Sequence, residues 1–328
     1  STSIDWDAVV KVSTAHYVFP ALYCNLKLVD FLKYLPQDLV SFMEHITDLN
    51  RDRNKKIVTQ AKDLNNLLLA NNITPIFLKG TGNLLAGIYD DIAERMVGDI
   101  DFIFSKDDYS KAIIILREFG YSEVEKYKYY IPEEKHYRRL QKENNIAAIE
   151  IHKDLLSIKK YSNEFNYSFV EKDSQIINGA SVLSYANKLN LSIIANQIND
   201  SGFYYKTMAL RNAYDVFLLS KKTNSKNAVN ALNNLTSPLN CFLVACYEVF
   251  NKVDSLEYNN TKMTTSYLSI FNNQFTNPKA TKRRQKRIKI FLFIKSKLNI
   301  LYKSIIYKEF RVWLFKRATD KNWHKEIL

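Results

Sequence analysis

Two aspartates two residues apart, Asp99 and Asp101, stand at the head of an apolar run, DIDFIF, and further along a glutamate and a histidine, Glu150 and His152, close another, IAAIEIH. On an extended strand successive side chains point to opposite faces, so each pair would project from one side of its strand. Carboxylates aimed at one point suit hard divalent cations, which take oxygen ligands. Upstream, Lys79-Gly80-Thr81-Gly82 follows a short apolar stretch and opens a helix-like segment reaching about Tyr89. A glycine turn there would offer backbone N–H groups, and the favourable end of a helix dipole, to an anion. A metal pair beside a phosphate cradle is what nucleotidyl transfer requires.

Each residue also has a structural explanation. Asp-x-Asp is common in loops and caps, and gains meaning here from the order glycine turn, Asp pair, Glu150. Lys79 could neutralise phosphate or pair with Asp99. Arg95 suits bidentate phosphate contact better than a lysine would, against a loop ion pair with Glu94 or Asp91. His152 could orient a metal ligand, touch substrate or sit satisfied within a sheet, and no His-rich spacing supports zinc. Arg211 and Asp215 are four residues apart and would meet on one helix face, where pairing is favoured over substrate binding.

The chain has 328 residues, 46% hydrophobic and 25% charged, enough for a substantial core in two or three units. Seven Gly and six Pro argue against long linkers or a turn-rich sandwich, so long helices are expected. Cys24, Cys241 and Cys246 are odd in number and lack CxxC spacing, which fits a reducing cytoplasm better than a disulfide framework. No leader-like opening and no apolar run near ~18 residues is visible. The net charge of +13 lies wholly in residues 279–328, where 16 Lys and Arg face three Asp and Glu; elsewhere the signs balance at 31 each. Attraction to nucleic acid or anionic lipid therefore belongs to the tail.

The elements that must position the candidate residues follow from periodicity. Residues 1–72 read as a helical region punctuated by Pro20 and Pro36, with His16 and His45 in helix packing. Residues 73–158 change period: strands at Ile73–Leu78, Ile100–Phe104 and Ile146–Ile151, helices at Gly82–Ile88 and Asp108–Phe119, and candidate strands at Tyr127–Ile131 and Tyr137–Gln141. The fold class is α+β, a small mixed sheet flanked by N- and C-terminal helical regions. Residues 159–278 return to helices at Val182–Asn199, Thr207–Lys221, Asn227–Asn234 and Leu239–Val253, with a break at Ser237-Pro238, before a polar linker from Glu257 to Pro278. Residues 279–328 form a basic amphipathic tail in which Phe291, Ile294, Leu298, Leu301 and Ile305 make one stripe. It would pack on the body, lie on an anionic membrane or track nucleic-acid phosphates. The expected location is cytoplasmic, with peripheral attachment at the inner membrane surface.

The combination LKG (78–80), Tyr89, Arg95, GDID (98–101), Gly120-Tyr121 and EIH (150–152) resembles the uncharacterised nucleotidyltransferases of the DNA polymerase beta-like nucleotidyltransferase superfamily. Asp5-Trp6, His16 and Pro20 are similar to that family's opening helices, and LRNAYDVFLL (210–219) to a helix after its core, so the likeness covers about residues 1–220. It implies that Asp99, Asp101 and Glu150 hold two Mg²⁺ ions, with Mn²⁺ as a substitute. Gly80 and Thr81 would contact the triphosphate of an NTP such as ATP through backbone and hydroxyl. One ion would activate the acceptor hydroxyl and the other clamp the departing pyrophosphate, at ~3.5–4 Å separation. Thr81-Gly82 departs from the superfamily's usual small pair. The acceptor, whether small molecule, sugar phosphate, protein or RNA end, is not written in these motifs. The reading requires three carboxylates from two neighbouring strands to meet near the bend after Leu78.

Overall fold

The computed structural model describes residues 4–124, 131, 132 and 134–320. Three helices open the chain: α1 (Trp6–Ala15), capped by the Asp5 carboxylate on the Ala8 N–H at 3.0 Å, α2 (Phe19–Leu28) and the long α3 (Gln37–Ala70). Pro20 lies in the first turn of α2 and Pro36 precedes α3, positions where a missing N–H costs no helical bond. His16 accepts from the Leu210 N–H at 3.3 Å, tying this region to a later helix.

The next stretch builds β1 (Ile76–Phe77), α4 (Lys79–Leu85), β2 (Asp99–Ile103), α5 (Lys106–Glu118), β3 (Ser122–Glu123), β4 (Leu140–Gln141) and β5 (Ala148–His152). α5 starts where the Ser105 hydroxyl accepts the Asp108 N–H and stops at Gly120, whose φ of +96° continues no helix. There follow α6 (Tyr167–Glu171) and the hairpin β6 (Gln175–Ile177) and β7 (Ala180–Val182). Asn178 and Gly179 form its two-residue turn with φ of 51° and 79°, the left-handed pair that matches strand twist.

Among the described residues the sheet has seven strands in the order β3-β4-β5-β2-β1-β7-β6. It is mixed: β2 runs parallel to β5 and antiparallel to β1, and β1 runs parallel to β7. Helices α7 (Tyr185–Ile194), α8 (Gly202–Tyr205), α9 (Leu210–Ser220), α10 (Ser225–Asn230) and α11 (Thr236–Val249) follow, with a π-helical turn at Ala195–Asn199. One hydrophobic cluster runs from Ile57 and Leu64 on α3 through Phe77, Phe102 and Ile149 in the sheet to Leu191, Val216 and Phe242.

Several expectations change. β1 is two residues long rather than six, and the expected strand at Tyr137–Gln141 shortens to β4. Of the strand expected at Tyr127–Ile131, residues 127–130 lie outside the described residues, and Ile131 is in no strand. Val182–Asn199 is not one helix, because Val182 ends β7. Pro238 sits in the first turn of α11, where proline is tolerated, and breaks nothing. The supposed linker contains α12 (Lys262–Thr276), started by a capping box between Thr261 and Thr264 and anchored by buried Tyr267 and Phe271. The tail forms α13 (Pro278–Ile306) and α14 (Lys308–Thr319). Among the described residues no helix is long and apolar enough to cross a membrane.

The core also holds an isolated cation. Lys188 on α7 is buried, donates to the Leu183 carbonyl, and has its ammonium pushed down to about 7 by burial alone. The unfolded lysine keeps its proton up to ~10.4, so between these values the unfolded state binds more protons and stability rises with pH. Lys188→Met should exceed the wild type in urea stability at neutral pH. The gap should shrink by roughly 3 kcal/mol by about pH 9.5; a gap independent of pH would show that Lys188 is charged in the fold.

Candidate active site

The register of the two central strands decides where the acids fall. β2 and β5 pair with Asp101 directly opposite Glu150 and Ile103 opposite His152. Parallel neighbours in register share their outward face, so the aspartate of one strand and the glutamate of the next stand side by side. Asp101, Glu150 and His152 each offer a ligand atom, and these atoms lie within 4.8 Å of one another. The donor set of two carboxylates and an imidazole fits a divalent cation.

Charge in this cluster is balanced by Lys79. Its Nζ lies 2.6 Å from Asp101 Oδ1 and 3.6 Å from Glu150 Oε2. The backbone at Lys79 has φ of +49°, a left-handed conformation that lysine rarely adopts, and it turns the chain from β1 into α4. Burial alone would lower the Lys79 pKa, but the two carboxylates outweigh it and hold the ammonium charged. Burial would likewise raise Asp101, yet Lys79 and the His152 hydrogen bond keep its carboxyl well below the usual range. His152 Nε2 lies 2.9 Å from Asp101 Oδ1 and Nδ1 3.5 Å from the Asp154 carbonyl. Burial, joined by the nearby Lys79 charge, pushes the imidazole down despite Asp101. A neutral ring donating Nε2–H to an ionised Asp101 makes the shorter of these contacts and leaves Nδ1 without a proton for the more distant Asp154 carbonyl.

Asp99 is placed apart. It shares the strand with Asp101, but its carboxylate is held by Arg139, a partner that the sequence offered only as part of a candidate strand. The structure therefore brings together Asp101, Glu150, His152 and Lys79, and leaves Asp99 beside them in a separate ion pair.

A cavity of about 210 Å³ opens beside the cluster, lined in part by Lys79, His152, Lys135, Arg211, Asp200 and the pair Arg95–Asp215. Arg95 Nε bonds both Asp215 oxygens at 3.0 and 3.1 Å, and Tyr89 donates to the same carboxylate at 2.7 Å. Asn50 and Asn54 on α3 fix this loop by donating to the carbonyls of Ala93, Ile92 and Arg95 at 2.6–3.3 Å. Arg211 stacks over Tyr17 with 5.0 Å to the ring centroid, and its buried Nε has no hydrogen-bond partner among the described residues. Burial lowers its pKa and that of Lys135, with Arg95 adding to the first and Lys79 to the second.

Three expectations need correction. Thr81 cannot offer its hydroxyl to a triphosphate: it is fully buried and donates to the Asp99 carbonyl at 2.9 Å, tying α4 to β2. Gly80 and Gly82 are required for close packing as well, since a Cβ would lie 2.9 Å from Val97 Cγ2 at the first and 2.6 Å from the Phe77 carbonyl oxygen at the second. Arg95 is neither an exposed phosphate clamp nor paired with Glu94 or Asp91; its charge is spent on Asp215. Arg211 does not form the expected pair with Asp215, because that carboxylate is taken by Arg95 and Tyr89. Lys135, Asp200 and Arg139 were missed, for no local spacing distinguishes them from surface charges.

Residues 2–249 match the family described as uncharacterised nucleotidyltransferase, and the chain belongs to that family. No curated protein matches the sequence significantly. Among solved structures, a candidate nucleotidyltransferase from Helicobacter pylori is 14% identical with a TM-score of 0.31, covering 71% of this chain and 97% of its own. JHP933 from the same organism is 13% identical with a TM-score of 0.30, covering 74% and 97%. At these scores the assignment rests on the family match.

Two outcomes are expected. Lys79→Met removes the resident cation between Asp101 and Glu150, so Mn²⁺ affinity by calorimetry should tighten about tenfold, or ~1.4 kcal/mol; unchanged affinity would place the ion elsewhere. Asp215→Ala strands a buried arginine and should cost about 3–5 kcal/mol in denaturant unfolding.

Proposed function

We propose that the protein is an enzyme that transfers a nucleoside monophosphate from an NTP to an acceptor hydroxyl or phosphate, releasing pyrophosphate. The observation that carries this is the contiguity of a carboxylate cluster with a cavity whose Lys135 and Arg211 have no carboxylate within bonding distance among the described residues. A polyanion entering the cavity would find charge and an unsatisfied N–H donor that the fold itself leaves unused.

In this reading Arg211 and Lys135 bind the phosphates and stabilise the negative charge that builds on the leaving pyrophosphate. The acceptor oxygen forms its bond to the α-phosphorus as the bond from that phosphorus to the β-phosphate bridging oxygen breaks. Glu150, partly exposed, accepts the acceptor's proton where the acceptor is a hydroxyl. His152 keeps Asp101 ionised and oriented. Mg²⁺ or Mn²⁺ held by Asp101 and Glu150, joined by Asp99 once it leaves Arg139, would supply Lewis-acid charge to the attacking and departing oxygens, a role that two ions fill in related chemistry. Lys79, already neutralising two carboxylates, yields that place or turns to phosphate.

A second reading is a nucleotide-binding module without catalysis. It draws on the same contacts, since Lys79 holds Asp101 and Arg139 holds Asp99.

Incubation with each NTP labelled at the α-phosphate, in cell extract with Mg²⁺ or Mn²⁺, separates the readings and shows whether label enters RNA, protein or small molecules. Asp101→Asn and Asp99→Asn should abolish labelling, with losses above about 100-fold, while thermal unfolding stays near wild type; His152→Gln should cost about 10–100-fold. Arg211→Ala should raise the KM for NTP more than it lowers kcat. Full activity in either aspartate variant would discard the mechanism, and nucleotide binding without label transfer would favour the module.

A further inference from the structure

Helix α13 is built differently from every element around the site. Its 29 residues include ten Lys and Arg and no Asp or Glu, and none of its side chains is buried. Ile290, Phe291, Ile294, Leu298, Leu301 and Ile305 recur at helical spacing and each keeps between 51 and 76% of its surface in water. At 100° per residue they fill one arc of the helix, and Lys295 and Lys297 fall on its two edges.

The stripe is held in a fixed aspect to the body. Lys295 donates to the Tyr204 hydroxyl at 3.0 Å, the Tyr204 and Phe291 rings approach to 6.1 Å, and Arg284 donates to the Tyr205 carbonyl at 2.6 Å. The packing of α14 involves the other side: Phe310 lies under Lys303, which is on the arc opposite the stripe. Before the stripe begins, Lys279, Lys282, Arg283, Lys286 and Lys289 line an open groove with Tyr205.

We propose that α13 docks the protein flat on an anionic bilayer surface, its stripe at the acyl boundary and its lysines at the phosphate level. Charge decides among occupants. A second copy in an isologous contact would bring the same acid-free helix against itself, placing cations against cations. Nucleic acid would meet the cationic groove but leave a six-residue apolar stripe in water. A bilayer with anionic headgroups satisfies both, because long lysine stems reach the headgroups while apolar residues enter between the chains. The helix is too polar to cross, so it lies in the plane.

The full chain is tested by co-sedimentation with vesicles of phosphatidylcholine alone and with about one third phosphatidylglycerol, at low and high salt. Binding at least about tenfold stronger to the anionic vesicles, and weaker in high salt, is expected. The double variant Leu298→Asp/Leu301→Asp, at exposed positions, should keep wild-type circular dichroism and lose at least about tenfold in binding. Lys282→Glu/Lys286→Glu should lose affinity for the anionic vesicles alone. Asp101→Asn should bind vesicles as the wild type does, which separates this proposal from the catalytic one. Failure to bind anionic vesicles, or stripe variants that bind as well as wild type, would overturn it. So would binding of RNA without vesicles, or a wild-type dimer that the stripe variant turns into a monomer, each assigning the helix to another occupant.

Discussion

Carboxylates set into a sheet must be neutralised, and that constraint organises this molecule. The in-register pairing of β2 with β5 brings Asp101 and Glu150 together at the sheet surface, and two negative charges in a half-buried place repel strongly unless a cation stands between them. Lys79 meets the need from the first residue of α4, at the cost of a left-handed backbone. Asp99 is met separately by Arg139. Strand register, helix start and the conformation of one lysine thus express a single electrostatic requirement.

The buried pair Arg95–Asp215 applies the same logic across the molecule. Arg95 comes from the loop entering β2 and Asp215 from α9, so the pair fastens the sheet to the helices behind it. The asparagines of α3 hold the same loop by its carbonyls, which sets Arg95 without using another charge. The remaining cations of the cavity, Arg211 and Lys135, gain their distinction from what is already taken. Asp215 is bonded elsewhere, and Asp200 is the carboxylate left among them.

Much of this was legible in the chain. The period-two placement of Asp99 with Asp101 and of Glu150 with His152 identified the strands whose pairing brings Asp101 to Glu150, and the helix read over Asp108–Phe119 is α5, which starts two residues earlier and ends one earlier. What failed was partnership. Arg95 and Thr81 had the chemistry of phosphate contacts, but their targets, Asp215 and the Asp99 carbonyl, are chosen by tertiary packing. The glycines near Lys79 read as a phosphate cradle because close packing and anion binding demand the same small residue. The β6–β7 hairpin announced itself through Asn178-Gly179 but was overlooked, since its strands are three residues each and one is half exposed. The polar segment before the tail hid a helix whose burial rests on two aromatic side chains.

The lysine between the acids has a further consequence for how the protein tolerates its surroundings. A divalent ion seated between Asp101 and Glu150 would displace a cation that the fold itself supplies, so removing it with a chelator would exchange one positive group for another and leave the sheet electrically quiet. An ion-free molecule would then keep its fold, with Lys79 back between the two acids.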